Sequence, residues 1–239
     1  MVRNGKQTGP VTAGQINAAR DSFELYYDRA NQNLDTDDVV IKMDTFMSEL
    51  FQRYPSRKDS GYMFHYALSQ DEESIFYIMS QGVYDFEEDT AYHYPFGKDD
   101  FNDTFEYYLL LHGNSPEGEY RAINESEFCN FTQRYEKNFN RLYDSIITPV
   151  SSITNHPFSV YHEGEELNEF VEEYQPDTSD VLLLRHCAAP LGSNIRSYHI
   201  PVFIFMWQGT GNTDYDGKGL DIGKTCPPFC SANMESFCD

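Results

Sequence analysis

The sequence is short of positive charge, of tryptophan and of long apolar runs. Lys and Arg number 17 against 39 Asp and Glu, a formal net charge of -22 at pH 7. Binding a phosphate backbone gains from seating Lys and Arg on phosphates and releasing counterions, so this balance argues against nucleic acid as a partner. Anionic membrane surfaces are disfavoured by the same sign of charge. The longest apolar run, "PVFIFMW" at 201–207, has strand length, far below the roughly 20 residues of a membrane span. The opening "MVRNGKQTGP" has no apolar core and does not read as a signal peptide. The expectation is a cytoplasmic chain as written, or a secreted one if a leader has been removed. No G-x-x-x-x-G-K-[ST], G-x-G-x-x-G or G-x-S-x-G occurs, so the usual scaffolds of nucleotide binding and serine hydrolysis are missing.

Aromatic residues, by contrast, are plentiful. With 40% hydrophobic residues, 18 Tyr and 18 Phe, the chain has enough apolar surface for a packed interior, and 239 residues suit one large domain. The five cysteines, Cys129, Cys187, Cys226, Cys230 and Cys238, are an odd number in a chain too long to depend on bridges. A fully paired scaffold is therefore not expected.

Thr12 and Gln15 form a capping-box pattern ahead of Ile16, Ala19 and Phe23, which predicts an amphipathic helix. Val39, Val40, Met43, Phe46, Met47 and Leu50 recur at helical spacing and predict a second helix from about 36 to 54, stopped before Pro55. The short aromatic runs "YMFHYALS" and "SIFYIMSQGVY" flank "QDEE" and read as a hairpin; "FEYYLLLHG" and "GEYRAI" read as another. Residues 85–103 read as a surface loop. Asn124 and Glu127 cap a predicted helix, and a further one falls within 163–175. "DVLLLRHCAA" and "YHIPVFIFMW" predict strands covered on both faces. The order predicts a single α+β domain with a mostly antiparallel sheet, amphipathic helix pairs packed on it and an irregular Gly-, Asp- and Cys-rich tail. Residues 1–11 read as a flexible arm, 12–207 as the domain and 208–239 as the irregular segment packed on it.

The tail carries one candidate ion site. In "NTDYDGKGLD", Asn212, Asp214 and Asp216 alternate ahead of Gly217, and Asp221 follows; calcium takes oxygen ligands from loops of this pattern. The stretch resembles the short Asp-rich calcium loops of EF-hands, dockerins and thrombospondin type 3 repeats, which would imply a bound calcium ion. It departs from them in its leading Asn, in Gly223 at the position an EF-hand gives to Glu, and in an Asp221 one residue late for the thrombospondin spacing. The same residues also suit a turn in which Asp and Asn cap backbone amides and Gly takes positive φ.

Other constellations are sparser. Cys226, Cys230 and Cys238 read first as free thiols; the alternatives are a disulfide among themselves or three thiolates offered to zinc, with Cys187 or His186 as a fourth ligand. "RHC" places His186 beside Cys187, but adjacent strand residues point to opposite faces, so a base for that thiol would have to come from elsewhere, such as His199. "HPFSVYHEGEE" offers His162 and Glu163, residue types suited to acid–base work, without the H-E-x-x-H spacing. The leading expectation is a non-catalytic acidic binding or structural protein acting through protein contacts in a larger assembly, with a basic partner surface and a calcium-stabilised loop. The alternatives are a metal-dependent or Cys/His hydrolase using Cys187, His186, His199, His162 and Glu163, and a glycan-binding module.

Overall fold

In a strand, alternate side chains leave opposite faces, so an aromatic run can be buried on both sides only if something packs above and below it. The computed structural model describes residues 2–3, 6–7, 10–11, 13–30, 37–51, 60–71, 74–85, 90–92, 107–111, 119–146, 159–174, 180–188, 201–208, 219–220, 224–226 and 238. In chain order these form β1 (Val2–Arg3), β2 (Lys6–Gln7), β3 (Pro10–Val11), α1 (Ala13–Ala30), β4 (Val39–Lys42) and α2 (Met43–Thr45), which runs into a π-helical turn, Phe46–Phe51. Next come β5 (Ser60–Leu68), β6 (Ile75–Asp85), β7 (Thr90–Tyr92), β8 (Tyr107–Leu110), β9 (Tyr120–Ile123), α3 (Glu125–Ile146), β10 (Ser159–Glu163) and α4 (Gly164–Tyr174). The described chain ends with β11 (Val181–Ala188), β12 (Pro201–Gln208), β13 (Gly219–Leu220) and β14 (Lys224–Cys226).

Apart from the small β1–β2 sheet, two sheets are built from these strands. The first runs β14-β10-β5-β6-β8-β9, with β7 also on β6; the second runs β3-β13-β12-β11-β4. Their pairings are all antiparallel. Tyr62, Phe64, Tyr66 and Leu68 leave one face of β5 beside Tyr77 and Met79 of β6, and they share a core with Val39, Ile41, Leu182 and Leu184 of the second sheet. This is the inner layer. On the other face of the first sheet, Ala67, Ile78, Tyr107 and Leu109 pack under Phe128 of α3. On the other face of the second, Leu183 and Cys187 pack under Ile16 and Ala19 of α1. The result is the single α+β domain with antiparallel sheets that the sequence predicts.

Local chemistry positions the parts. Asn124 caps α3: its Oδ1 accepts from the Glu127 amide at 2.9 Å while the Glu127 carboxylate accepts from the Asn124 amide at 3.2 Å. Hydrogen bonds from Arg121 and then from Asn124 hold the Glu127 carboxyl below its ordinary range. Gly61 and Gly82 face each other across β5 and β6, leaving room for the buried Tyr161. A Cβ at Gly61 would lie 2.0 Å from the His162 carbonyl oxygen and 2.7 Å from Tyr161 Oη. At one corner the two sheets are clasped together. Glu119, ahead of β9, accepts from the backbone amide of Lys42 at 3.1 Å and from its Nζ at 3.2 Å, and Tyr120 donates to Glu49.

The hairpins β5–β6 and β8–β9, helices α1, α3 and α4, and strands β11 and β12 stand where the sequence predicts them. The second helix does not. Its first part is β4, whose Val39, Val40 and Ile41 pair with Leu184, Leu183 and Leu182, and only from Met43 does the chain turn helical. β-branched residues are stiff at χ1 and favour a pleated surface, and β11 supplies an edge for them. Seven strands went unpredicted: β1, β2 and β3 in the stretch read as a flexible arm, β7 inside the stretch read as a loop, β10 inside the His- and Glu-rich stretch, and β13 and β14 in the tail read as irregular, where pairing with distant strands supplies order that the local residues do not signal. Near the chain's start, β1 pairs with β2, and β3 pairs with β13.

Candidate functional site

Strand β11 carries Arg185, His186 and Cys187, and alternation sends them to different layers. Cys187 is fully buried among Ile16, Ala19 and Leu183, and burial pushes its thiol up to about 12. At neutral pH it is a thiol, not the thiolate a nucleophile requires. Arg185 forks onto Asp38, with Nη2 2.7 Å and Nε 2.9 Å from Oδ2.

His186 belongs to the inner layer. β4 flanks β11 only as far as Leu184, and beyond it Phe23 of α1 stacks on the imidazole, ring centroids 5.4 Å apart. Tyr77, from the first sheet, stacks on it at 4.8 Å, and its hydroxyl lies 2.6 Å from Nδ1. Which of the two donates follows from the imidazole tautomer. The file of rings continues from Tyr77 to Tyr66 at 5.5 Å and from Tyr66 to Tyr135 of α3 at 5.2 Å. Desolvation raises the Tyr66 and Tyr77 hydroxyls well above the ordinary phenol range, reinforced by neighbouring Tyr135 and Tyr66 respectively. These phenols stay neutral.

His162 lies on β10, opposite Tyr62 of β5, with its ring edge-on to Phe64 at 5.9 Å. Burial alone pulls its imidazole down to about 3. Tyr62 is four residues along β5 from Tyr66, a rise of about 13 Å, so the fold does not bring His162 to the His186 pair. Glu163, the next residue, is half-buried at the end of β10. His199, Cys230 and the proposed calcium ligands Asn212, Asp214, Asp216 and Asp221 lie outside the described residues. Among the described residues no three or more His, Cys, Asp or Glu side chains group to hold a metal ion. Cys238 is joined to Cys129 of α3. The reading of the tail cysteines as free thiols, and the alternative of a bridge among themselves, are therefore corrected for this residue, and the zinc reading loses one of its thiolates.

One pair escaped sequence reasoning. His65 Nε2 lies 2.8 Å from Ser80 Oγ, on the outer face of β5 and β6. A serine bonded to an imidazole is the pairing of nucleophile and base, but both are 2% exposed and Phe128 sits edge-on to the His65 ring at 4.9 Å. Neither neighbour in the sequence signals it. The two residues meet only once the β5–β6 register sets Ser80 opposite Met63.

Charge has the opposite distribution from these rings. Glu165, Glu169 and Glu172 project from one exposed face of α4, and Asp21, Glu24, Glu125 and Glu136 are exposed on α1 and α3. Among the residues whose side-chain exposure is described, the exposed basic ones are Lys42 and Lys137. No family model, curated protein or solved structure matches the chain.

Proposed function

We propose that the protein is a non-catalytic binding or structural protein that meets, through protein contacts, a partner with a basic surface. The observation that carries this reading is the acidic outer surface of the helices, above all the Glu165, Glu169 and Glu172 face of α4. Such a surface speeds encounter with an opposite charge and disfavours like-charged partners, and its effect weakens as salt rises. The burial of Cys187, His186 and His162 weighs against the hydrolase alternative, because a thiol up at about 12 and an imidazole down at about 3 are poorly matched to catalysis near neutral pH.

The test is partner capture at low and high salt with the whole chain, followed by reconstitution with the purified partner. Charge reversal of the α4 face, Glu165→Lys, Glu169→Lys and Glu172→Lys together, is expected to weaken the reconstituted complex by about tenfold or more. Unchanged affinity and no dependence on salt would sink the reading. Melting followed through a millimolar calcium titration tests the 212–221 loop separately.

A further inference from the structure

The three cysteines whose side chains are described fall into two chemical classes. Cys187 is a free, buried thiol inside the second sheet's outer cluster. Cys129 and Cys238 are joined to each other and are only half-buried. Their bond closes a separation of 109 residues and is not the sole tie at that point. The Gln133 side-chain amide, one helical turn from Cys129, donates to the Cys238 carbonyl oxygen. Cys129, Cys238, Phe131 and Phe76 also pack around the outer cluster that Phe128 covers. Residue 238 is thus held on one face of α3 by a covalent bond, a hydrogen bond and apolar contact, at the rim of the layer that buries His65 and Ser80.

We propose that the Cys129–Cys238 bond is a reducible fastening of the outer layer, closed in an oxidising compartment and opened by a dithiol. Disulfides persist where the surroundings are oxidising, and attack on them requires that a thiolate reach a sulfur. Both halves here are accessible enough for that, while the buried Cys187 is a spectator. In the opening step a thiolate of the dithiol attacks one sulfur and displaces the other as a thiolate, giving a mixed disulfide. The second thiol of the reagent then displaces the protein sulfur and leaves as a cyclic disulfide. Two electrons and two protons pass from the reagent to Cys129 and Cys238. With the bond gone, the remaining hydrogen bond and apolar contact hold residue 238 weakly, and the rim around Phe131 and Phe76 opens to water.

The whole chain, prepared under oxidising conditions, is digested without reduction and its peptides are mapped by mass spectrometry, with dithiothreitol as the reductant in parallel samples. The expected result is a linked peptide pair containing Cys129 and Cys238, a melting temperature roughly 10 °C lower after reduction, and faster amide exchange across 125–135. Cys238→Ser should match the reduced protein and ignore dithiothreitol. Recovery of Cys129 and Cys238 as separate thiols from the oxidised sample overturns the proposal, and so does a linked pair whose reduction leaves melting and exchange unchanged. Both readings come from the natural chain, so they decide the matter even if the variant fails to fold.

Discussion

The inner and outer layers each bury an imidazole beside a hydroxyl, and they secure it by different means. His186 is held between sheets by Tyr77, 109 residues away in sequence, in a file of rings contributed by α1, β11, β6, β5 and α3. His65 is held within one sheet by Ser80, 15 residues away, and is covered by a single helix. The inner layer therefore depends on both sheets at once, with Tyr135 of α3 at the end of its file, and the contact between the sheets should open only on global unfolding. The outer layer depends on α3 staying docked, and that is where the chain adds a covalent tie.

The largest expected effect strikes the outer face. Gly61→Ala would drive a Cβ into the His162 carbonyl and the Tyr161 ring, and since a backbone oxygen cannot swing aside, a loss of about 3 kcal/mol or more is expected in urea unfolding. A loss below about 1 kcal/mol would mean that β5 and β10 are not paired as described. Next comes the inner pair. Tyr77→Phe removes the hydroxyl facing Nδ1 of His186 in a region closed to water, at a cost of about 2 kcal/mol. Ser80→Ala is expected to cost about 1 kcal/mol, because a helix can shift to admit water where two packed sheets cannot. Equal losses from the two variants would erase the distinction between the layers.

The smallest effect is acid sensitivity from His162. Its neutral form is the folded form, held down to about 3 by burial, while the unfolded chain protonates at the ordinary value. Stability is therefore full above about pH 6.5, falls as pH drops through that value and levels off below about 3. Between pH 7 and pH 5.5 the expected loss is about 1 kcal/mol. His162→Phe should remove that part of the slope, and a variant with the same slope as the natural chain would show that His162 is not the group responsible.

Short-range chemistry was legible in the sequence. The Asn124 and Glu127 cap, the two hairpins and the alternation that separates His186 from Cys187 all depend on residues a few positions apart. What escaped depends on distant partners. Val39, Val40 and Ile41 fit helical spacing as well as a strand, and β11, some 140 residues on, decided between them. β10 is five residues long, set among polar ones, and becomes a strand between β5 and β14. The Cys129–Cys238 bond has no local signature, because its spacing of 109 residues resembles no motif. The acidic character of the helices was visible from composition, whereas the sealing of His162 and Cys187 required the layers.

The Glu119 clasp also bears on how the molecule meets its own kind. Among the described residues β4 and β9 are edge strands, and a bare edge offers unpaired amides and carbonyls as a template for strand addition by another chain. Here the outward amide of Lys42 is already occupied by the Glu119 carboxylate, and the Tyr120 hydroxyl is tied to Glu49 across the same corner. A neighbouring copy would have to displace a carboxylate before it could zip onto that edge, so this corner resists the edge-to-edge growth that leads to fibres.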